Sequence, residues 1–375
     1  MTPPRSTDVF VVGGGPAGLA AAIAARRRGF DVTVADCSAP PIDKACGEGI
    51  MPDGVAAARS LGIELEAGEA RRFAGIRFCE ANAGTSTSVQ AVFPNGYGIG
   101  MRRTTLHAIM ASHASEAGVR LAWRTPVNGI RDEGVISDGS FTRARWIIGA
   151  DGSHSRVRRW AGLDASQRSS RRFGFRRHYR VEPWSDLMEI HWGPACQLYI
   201  TPVASQEICV ALISRDPHLR LNDALRHFPE VAGRVRHRER PASEERGGIT
   251  ASRRLRAVYR GRVALVGDAS GSVDAVTGEG LCLLFQQSAA LAAALDAGEL
   301  SSYQAAHRRI GRRPEFMANL MLLLDQRQRL RRRVIGAMAS HPPLFAGMLA
   351  MHVGELSSVR FLTNGAALGW RMLTS

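Results

Sequence analysis

Apolar positions along the 375 residues change rhythm from stretch to stretch, and each rhythm predicts a different element. Asp8–Val12 is a short continuous apolar run, the pattern of a strand buried on both faces, and it stops at glycines. Ala17–Arg28 is dense in alanine with three arginines at its end, a helix composition, and Phe30–Ala35 reads as a second buried strand closed by Asp36. A short helix is expected over Gly54–Leu61. From Arg72 to Val92 the period drops to two, a strand signal that ends in the turn Pro94-Asn95-Gly96-Tyr97-Gly98. Thr104–Ala117 returns to helical spacing, with Leu106, Ile109 and Met110 on one face and Thr104 or Thr105 as N-cap. Strands follow at Val119–Trp123 and Gly129–Ile136, and Arg145–Ala150 is a run of the buried parallel type.

The middle of the chain differs. Between 171 and 215, four short runs rich in β-branched and aromatic residues (FGFRRHYRVE, MEIHWG, CQLYITPV, EICVALIS) alternate with turn residues, which predicts a mostly antiparallel sheet built as an insertion. Leu219–Arg234 reads as helix, Arg262–Gly267 as another buried strand, and Leu281–Ala297 as an apolar helix. Ser301–Leu330 gives one or two more helices, and 331–375 keeps helical spacing with exposed-looking Phe, Met and Leu. No apolar run reaches the ~20 residues of a spanning helix. Val9–Ala25 has no charge but carries four glycines and Pro16 and is too short, so neither a membrane span nor a signal peptide fits it. The class is therefore α/β.

Charge changes the picture little. The net charge is +15, almost all from arginine, since Lys44 is the only lysine. Clusters lie at Arg26–Arg28, Arg156–Arg159, Arg171–Arg177, Arg234–Arg240, Arg253–Arg256 and Arg327–Arg333. Nucleic-acid binding wants basic stripes interleaved with aromatics, and aromatics are only 6% of the chain, which excludes it as a partner class. An anionic membrane surface would gain ~1 kcal/mol per nearby basic residue, so peripheral membrane association stays open beside the simpler reading of a solvated arginine-rich surface. Six scattered cysteines (Cys37, Cys46, Cys79, Cys196, Cys209, Cys282) contain no C-x-x-C pair. That spacing offers neither a zinc site nor a disulfide framework and points to a reducing cytoplasm. His154, His178 and His191 fall at no metal-ligand spacing and read as surface or core residues, so no metal is expected. Trp123 and Trp192 are isolated and read as core or pocket packing. Oligomeric state is not written in the sequence.

The chemistry begins at Gly13, Gly15 and Gly18, spaced G-x-G-x-x-G between a strand and a helix, with Asp36 closing the next strand. This is the dinucleotide-binding unit. Gly13 permits the tight turn, Gly15 lets a pyrophosphate approach the backbone, and Gly18 lets the helix lie close to the strand. Pro16 and Ala17 open a helix whose free N–H groups favour phosphate, and Asp36 can accept from a ribose. Two later stretches share a second pattern, a hydrophobic strand ending in Gly or Ala and then Asp: Ile147–Arg159, with Asp151 and Gly152, and Arg262–Leu281, with Gly267 and Asp268. A carboxylate at the C-terminal edge of a parallel sheet sits where ligands bind in this fold. Gly278 and Gly280 allow close approach, and Leu281 opens a helix whose N-terminus can stabilise a reduced flavin.

These three motifs in order resemble the flavoprotein superfamily of p-hydroxybenzoate hydroxylase, which also holds geranylgeranyl reductases and flavin-dependent halogenases. The resemblance implies an FAD-dependent oxidoreductase with FAD bound noncovalently, NAD(P)H as electron donor, and Arg103 and Val127 as further cofactor contacts, Val127 beside the adenine. It implies a three-segment, GR2-like Rossmann-type FAD-binding domain (1–71, 100–165 and 255–325), an inserted antiparallel β-sheet substrate domain (72–99 and 166–254) and a C-terminal helical segment (326–375). The loop Lys44-Ala45-Cys46-Gly47-Glu48-Gly49 resembles the K-x-C-G-G loop of the geranylgeranyl reductase-like branch. Cys46 and Gly47 would approach the cofactor, and Cys46 or Glu48 would donate a proton or shape the pocket. The leading expectation is a monooxygenase that hydroxylates a hydrophobic aromatic or polyketide-like small molecule through a flavin C4a-hydroperoxide. The alternatives are a C=C reductase acting on an isoprenoid or unsaturated lipid, and a non-catalytic flavin-binding redox module.

Overall fold

The structure is a computed structural model that describes residues 3–82, 85–168, 170–236 and 241–356. The tail beyond 356 and residues 237–240 of the Arg234–Arg240 cluster lie outside the described residues.

The first layer is an eight-stranded sheet. Ser6–Val12, Val32–Ala35, Arg120–Ala122, Ser140–Gly149 and Val263–Leu265 run parallel in it, with Ser6–Val12 between Val32–Ala35 and Ser140–Gly149. Val127–Arg131 and Gly134–Ser137 form an antiparallel meander against the first half of Ser140–Gly149. The turn expected after Ile136 is joined by an earlier one at 132–133, which splits the predicted single strand. Helices Pro16–Arg26 and Gly280–Asp296 cover one face of the parallel strands through Leu19, Ile23, Leu284, Phe285 and Leu291. Continuous apolar strands and alanine-dense helices are what two covered faces require.

The second layer is a seven-stranded sheet in the order Arg246–Thr250, Arg172–Tyr179, Glu207–Ser214, Cys196–Ala204, Leu187–Trp192, Gly75–Asn82, Thr85–Val92. It is antiparallel except where Leu187–Trp192 pairs with Gly75–Asn82, so two distant chain segments close one sheet. The single alternating stretch expected from Arg72 to Val92 divides: Arg71–Phe73 leaves to pair with Gly98–Gly100 and Gly49–Ile50 in a small three-stranded sheet. Cys196–Ala204 is buried at every position, because both faces of this sheet are covered. One face packs on Leu221–Ala224 and Pro229–Arg236 through Leu221, Phe228 and Val231, the predicted helix being broken before Pro229. The other face meets Leu300–Gln326, Gln328–Ser340 and Pro342–His352 through Met188, Ile190, Met321, Ile335 and Phe345. Among the described residues no single helix is long and apolar enough to cross a membrane.

Helix Arg103–Glu116 starts one residue before expectation, at Arg102 as N-cap, and neither Thr104 nor Thr105 caps it. Its first free N–H, on Arg103, is instead taken by the carboxylate of Glu48, 55 residues away in sequence. A residue from the glycine loop has replaced the local cap, and that tie leads into the site.

Candidate cofactor and substrate site

The C-terminal ends of the parallel strands open on a cavity of about 1020 Å³ that runs on between the two sheets. Gly13 has φ +108°, and a Cβ there would stand 2.5 Å from the Ala150 carbonyl oxygen. A Cβ on Gly18 would fall 1.8 Å from the Gly13 carbonyl oxygen, so the helix can lie this close to the strand only through glycine. At Gly15 a Cβ would meet nothing within 4 Å, which leaves open space over the backbone. Helix Pro16–Arg26 begins beside that space with no side-chain cap, and its first N–H groups are free for an anion. Pro16, Ala17 and Val127 line the cavity. Asp36 also lines it, and its carboxylate accepts from the N–H of Gly14 and of Ser38, each at 2.7 Å. Both contacts fix the acid in position. Arg103 borders the cavity with a buried Nε–H that has no acceptor among the described residues. The open cradle over Gly15 and the unpaired Arg103 Nε–H fit the diphosphate of FAD.

The other two motifs reach the same cavity. Asp151 accepts from Ser155 Oγ at 2.5 Å and from the N–H of Arg156 and Val157 at 2.7 and 3.1 Å, so its carboxylate secures the start of helix Arg156–Trp160. Gly152, with φ +79°, makes the turn between them. Asp268 pairs with Lys44 Nζ at 2.8 Å, which ties the third motif to the glycine-rich loop. Gly267, Gly278, Gly280 and Leu281 line the cavity where helix Gly280–Asp296 begins.

The loop at Cys46 is held from several sides. Thr201 Oγ1 donates to the Gly47 carbonyl at 2.8 Å, the Met101 N–H to the Glu48 carbonyl at 3.1 Å, and Cys46 Sγ accepts from the Glu48 N–H at 3.4 Å. Glu48, at φ +60° and 2% exposed, turns its carboxylate inward. Oε1 accepts from the Arg103 N–H at 2.9 Å and lies 3.3 Å from Arg176 Nε, while Oε2 is 2.6 Å from His178 Nε2. His178 Nδ1 is 2.7 Å from Ser243 Oγ, and Arg176 also pairs with Asp43, which Arg246 meets at 2.6 Å. Glu48, Arg176 and His178 are buried and opposite charges pair through the cluster, with Arg176 Nε held to Glu48 as an ion pair and not as a hydrogen bond.

Sequence reasoning placed Cys46 and Glu48 here but missed Arg176 and His178. A signal existed: two residues apart on strand Arg172–Tyr179, they share a face. Cys209 stands opposite His178 in the sheet, and Glu48, His178 and Cys209 bring potential ligand atoms within 4.8 Å of one another. The chemistry of this set is poor for a metal. Burial pushes the Cys209 thiol well up, keeping it protonated, and Arg176 already supplies the cation. His191 pairs with Glu189 at 2.9 Å inside the sheet, and His154 lies exposed at the cavity rim. Trp123 packs over Gly14 and Trp192 sits in the core, as read from the sequence.

The sequence profile of a family described as FAD binding domain matches residues 6–301. A menaquinone reductase of Mycobacterium tuberculosis is 36% identical over 125 residues, 32% of this chain and 30% of that protein. The matched segment thus spans under a third of the curated relative. Among solved structures, a flavoprotein/dehydrogenase of Cytophaga hutchinsonii superposes with a TM-score of 0.84 at 17% identity, covering 98% of this chain and 99% of that one. The flavin-dependent brominase Bmp2 superposes with a TM-score of 0.80 at 18% identity, covering 97% and 99%. At such identities the two structures speak for the fold, which they share over nearly their whole length.

Proposed function

The chain belongs to the FAD binding domain family and is an FAD-dependent oxidoreductase; from that premise we propose a monooxygenase that draws electrons from NAD(P)H and hydroxylates a hydrophobic aromatic or polyketide-like small molecule. FAD supplies the redox chemistry, passing electrons from the nicotinamide to dioxygen. The chain's residues bind, orient and exclude water. The glycine turn and Arg103 would hold the diphosphate, Asp36 a ribose, and the start of helix Gly280–Asp296 the ring end. Met188, Tyr199 and Ile213 form an apolar wall where the cavity meets the second sheet.

One observation carries this reading: the buried carboxylate of the loop is taken up by fixed donors of the fold instead of facing the cavity free. Glu48 is met by the Arg103 N–H, His178 and Arg176, and Cys46 Sγ is turned onto the Glu48 N–H. Reduction of a C=C bond ends with protonation of the second carbon by a protein or solvent acid, whereas hydroxylation from dioxygen makes no acid–base side chain obligatory. Glu48 then acts as a positioning residue that joins the loop, helix Arg103–Glu116 and strand Arg172–Tyr179. The second reading, reduction of an unsaturated lipid, draws on the reductase-like Lys44–Gly49 loop and on the identity shared with menaquinone reductase over a third of the chain.

Following NADH and NADPH oxidation by the yellow holoprotein, in air and without oxygen, separates the readings. The monooxygenase consumes oxygen with each nicotinamide oxidised, and without oxygen it stops after one reduction of its flavin. Sustained anaerobic turnover with an unsaturated lipid overturns this proposal in favour of the reductase. If neither NADH nor NADPH reduces the flavin, the monooxygenase proposal is overturned.

A further inference from the structure

Next to the cofactor cavity, sharing Met188 and Tyr199 as a common wall, lies a second chamber of about 50 Å³. This is several times the ~10–15 Å³ that one water needs. It is closed by the second sheet on one side and the three C-terminal helices on the other. Its lining is almost wholly apolar, and six methionines face it: Met51, Met188, Met317, Met321, Met338 and Met348. Methionine walls are adaptable and yield to guests of different shape.

Behind His352, one residue back from this apolar lining, stands a polar group with no hydrogen-bond partner among the described residues. Glu279, in the turn before helix Gly280–Asp296, is 2% exposed, and neither carboxyl oxygen has a hydrogen-bond partner among the described residues. His352, which lines the chamber, brings Nδ1 to 3.9 Å from Glu279 Oε1, and that nitrogen is unpartnered too. Arg313 reaches the same oxygen at 3.9 Å, holds Asp53 at 2.5 Å, and keeps a buried Nε–H unpaired. Thr277 neighbours both Glu279 and His352, and its hydroxyl donates to the Asp274 carbonyl at 3.4 Å. Two buried side chains with idle polar atoms, beside the buried Nε of a half-buried arginine, are costly, because each unmade bond forfeits roughly 1–3 kcal/mol. A fold that keeps them together has a use for them or fills them with a guest.

We infer that the chamber and the Glu279–His352–Arg313 cluster form a binding subsite for an aliphatic group tipped with an uncharged oxygen, a hydroxyl or a carbonyl. The alkyl part fills the methionine-lined space and the oxygen accepts from the idle donors. An uncharged tip matches the electrostatics. Burial and the neighbouring Asp53 push the Glu279 carboxyl up to about 8, so at neutral pH it is an O–H donor. Burial pushes His352 down to about 4, which keeps it neutral. The charge of Arg313 is answered by Asp53. Binding stands on this geometry alone; that the guest is one arm of the substrate rests on the proposed function.

The test is direct binding to the holoprotein, measured by headspace gas chromatography of butan-1-ol, butan-2-one and butane, guests on the scale of the chamber. The readout is indifferent to oxygen consumption, so it fails or succeeds separately from the monooxygenase reading. The alcohol and the ketone are expected to bind about ten-fold more tightly than the hydrocarbon, the worth of one buried hydrogen bond. Glu279→Leu should erase that preference while still binding butane, and Glu279→Gln, which keeps an N–H donor, should retain it. Equal affinity for all three probes, absence of binding by any, or an undiminished preference in Glu279→Leu overturns the inference.

Discussion

The chain carries two buried glutamates in the same local setting, Gly47-Glu48-Gly49 and Gly278-Glu279-Gly280, and the fold treats them in opposite ways. Both turns border the cofactor cavity, and both acids are 2% exposed. Glu48 is met by a backbone N–H, an imidazole and a guanidinium, whereas Glu279 has no hydrogen-bond partner among the described residues. Burial alone therefore says little about what an acid does. A buried carboxylate saturated by donors fastens elements together, and one left unsatisfied in an apolar wall is a site for something else.

The largest effect belongs to the saturated acid. Glu48→Ala strands Arg176, His178 and the Arg103 N–H in the interior, and breaking such a buried pair costs about 3–5 kcal/mol. Chemical denaturation should show that loss, with weakened flavin retention because the Lys44–Gly49 loop loses its anchor. A loss within 0.5 kcal/mol, the ordinary surface range, would show that the cluster does not fasten the loop.

The next effect is on pH dependence. Glu279 has its folded value raised from 4.5 to about 8, so the folded state holds its proton more tightly, and its contribution is lost as pH rises from 4.5 to 8. His352 and His307 are lowered by burial from 6.5 to about 4, so each adds stability as pH rises from 4 to 6.5. Below 6.5 these slopes oppose one another. Between 6.5 and 8 only the Glu279 slope remains, and stability should fall by about 2 kcal/mol from this acid. Denaturant titrations at pH 6.5 and 8 should show the decline in the parent chain and its absence in Glu279→Gln. An equal decline in both would place its origin elsewhere.

How much of this was legible in the sequence follows from how local each feature is. The glycine turn was legible because its reasons are local: Gly13 and Gly18 are each excluded from bearing a Cβ by backbone a few residues away or in the adjoining strand. The α/β class and the inserted sheet followed from rhythm, although the runs were cut differently at Arg71–Phe73, Gly75–Asn82 and Pro229. Asp151 and Asp268 were legible as acids at strand ends, but their partners, a short helix and Lys44, were not. The Glu48 cluster draws on residues up to 195 positions away, joined only when strand Arg172–Tyr179 and the loop of Ser243 fold over the glycine loop. Glu279 looked like one more residue in a glycine-rich turn, because its isolation is made by Arg313 and His352 on helices that follow.

The comparison is tested most directly by Glu279→Leu, through its thermal unfolding at pH 7.5 in the absence of added ligand. Replacing an unsatisfied buried acid by an apolar group of similar reach should stabilise the chain by about 1 kcal/mol, opposite in sign to the effect of Glu48→Ala. A midpoint lowered by the substitution would mean that Glu279 is held by the fold much as Glu48 is, and would contradict the account.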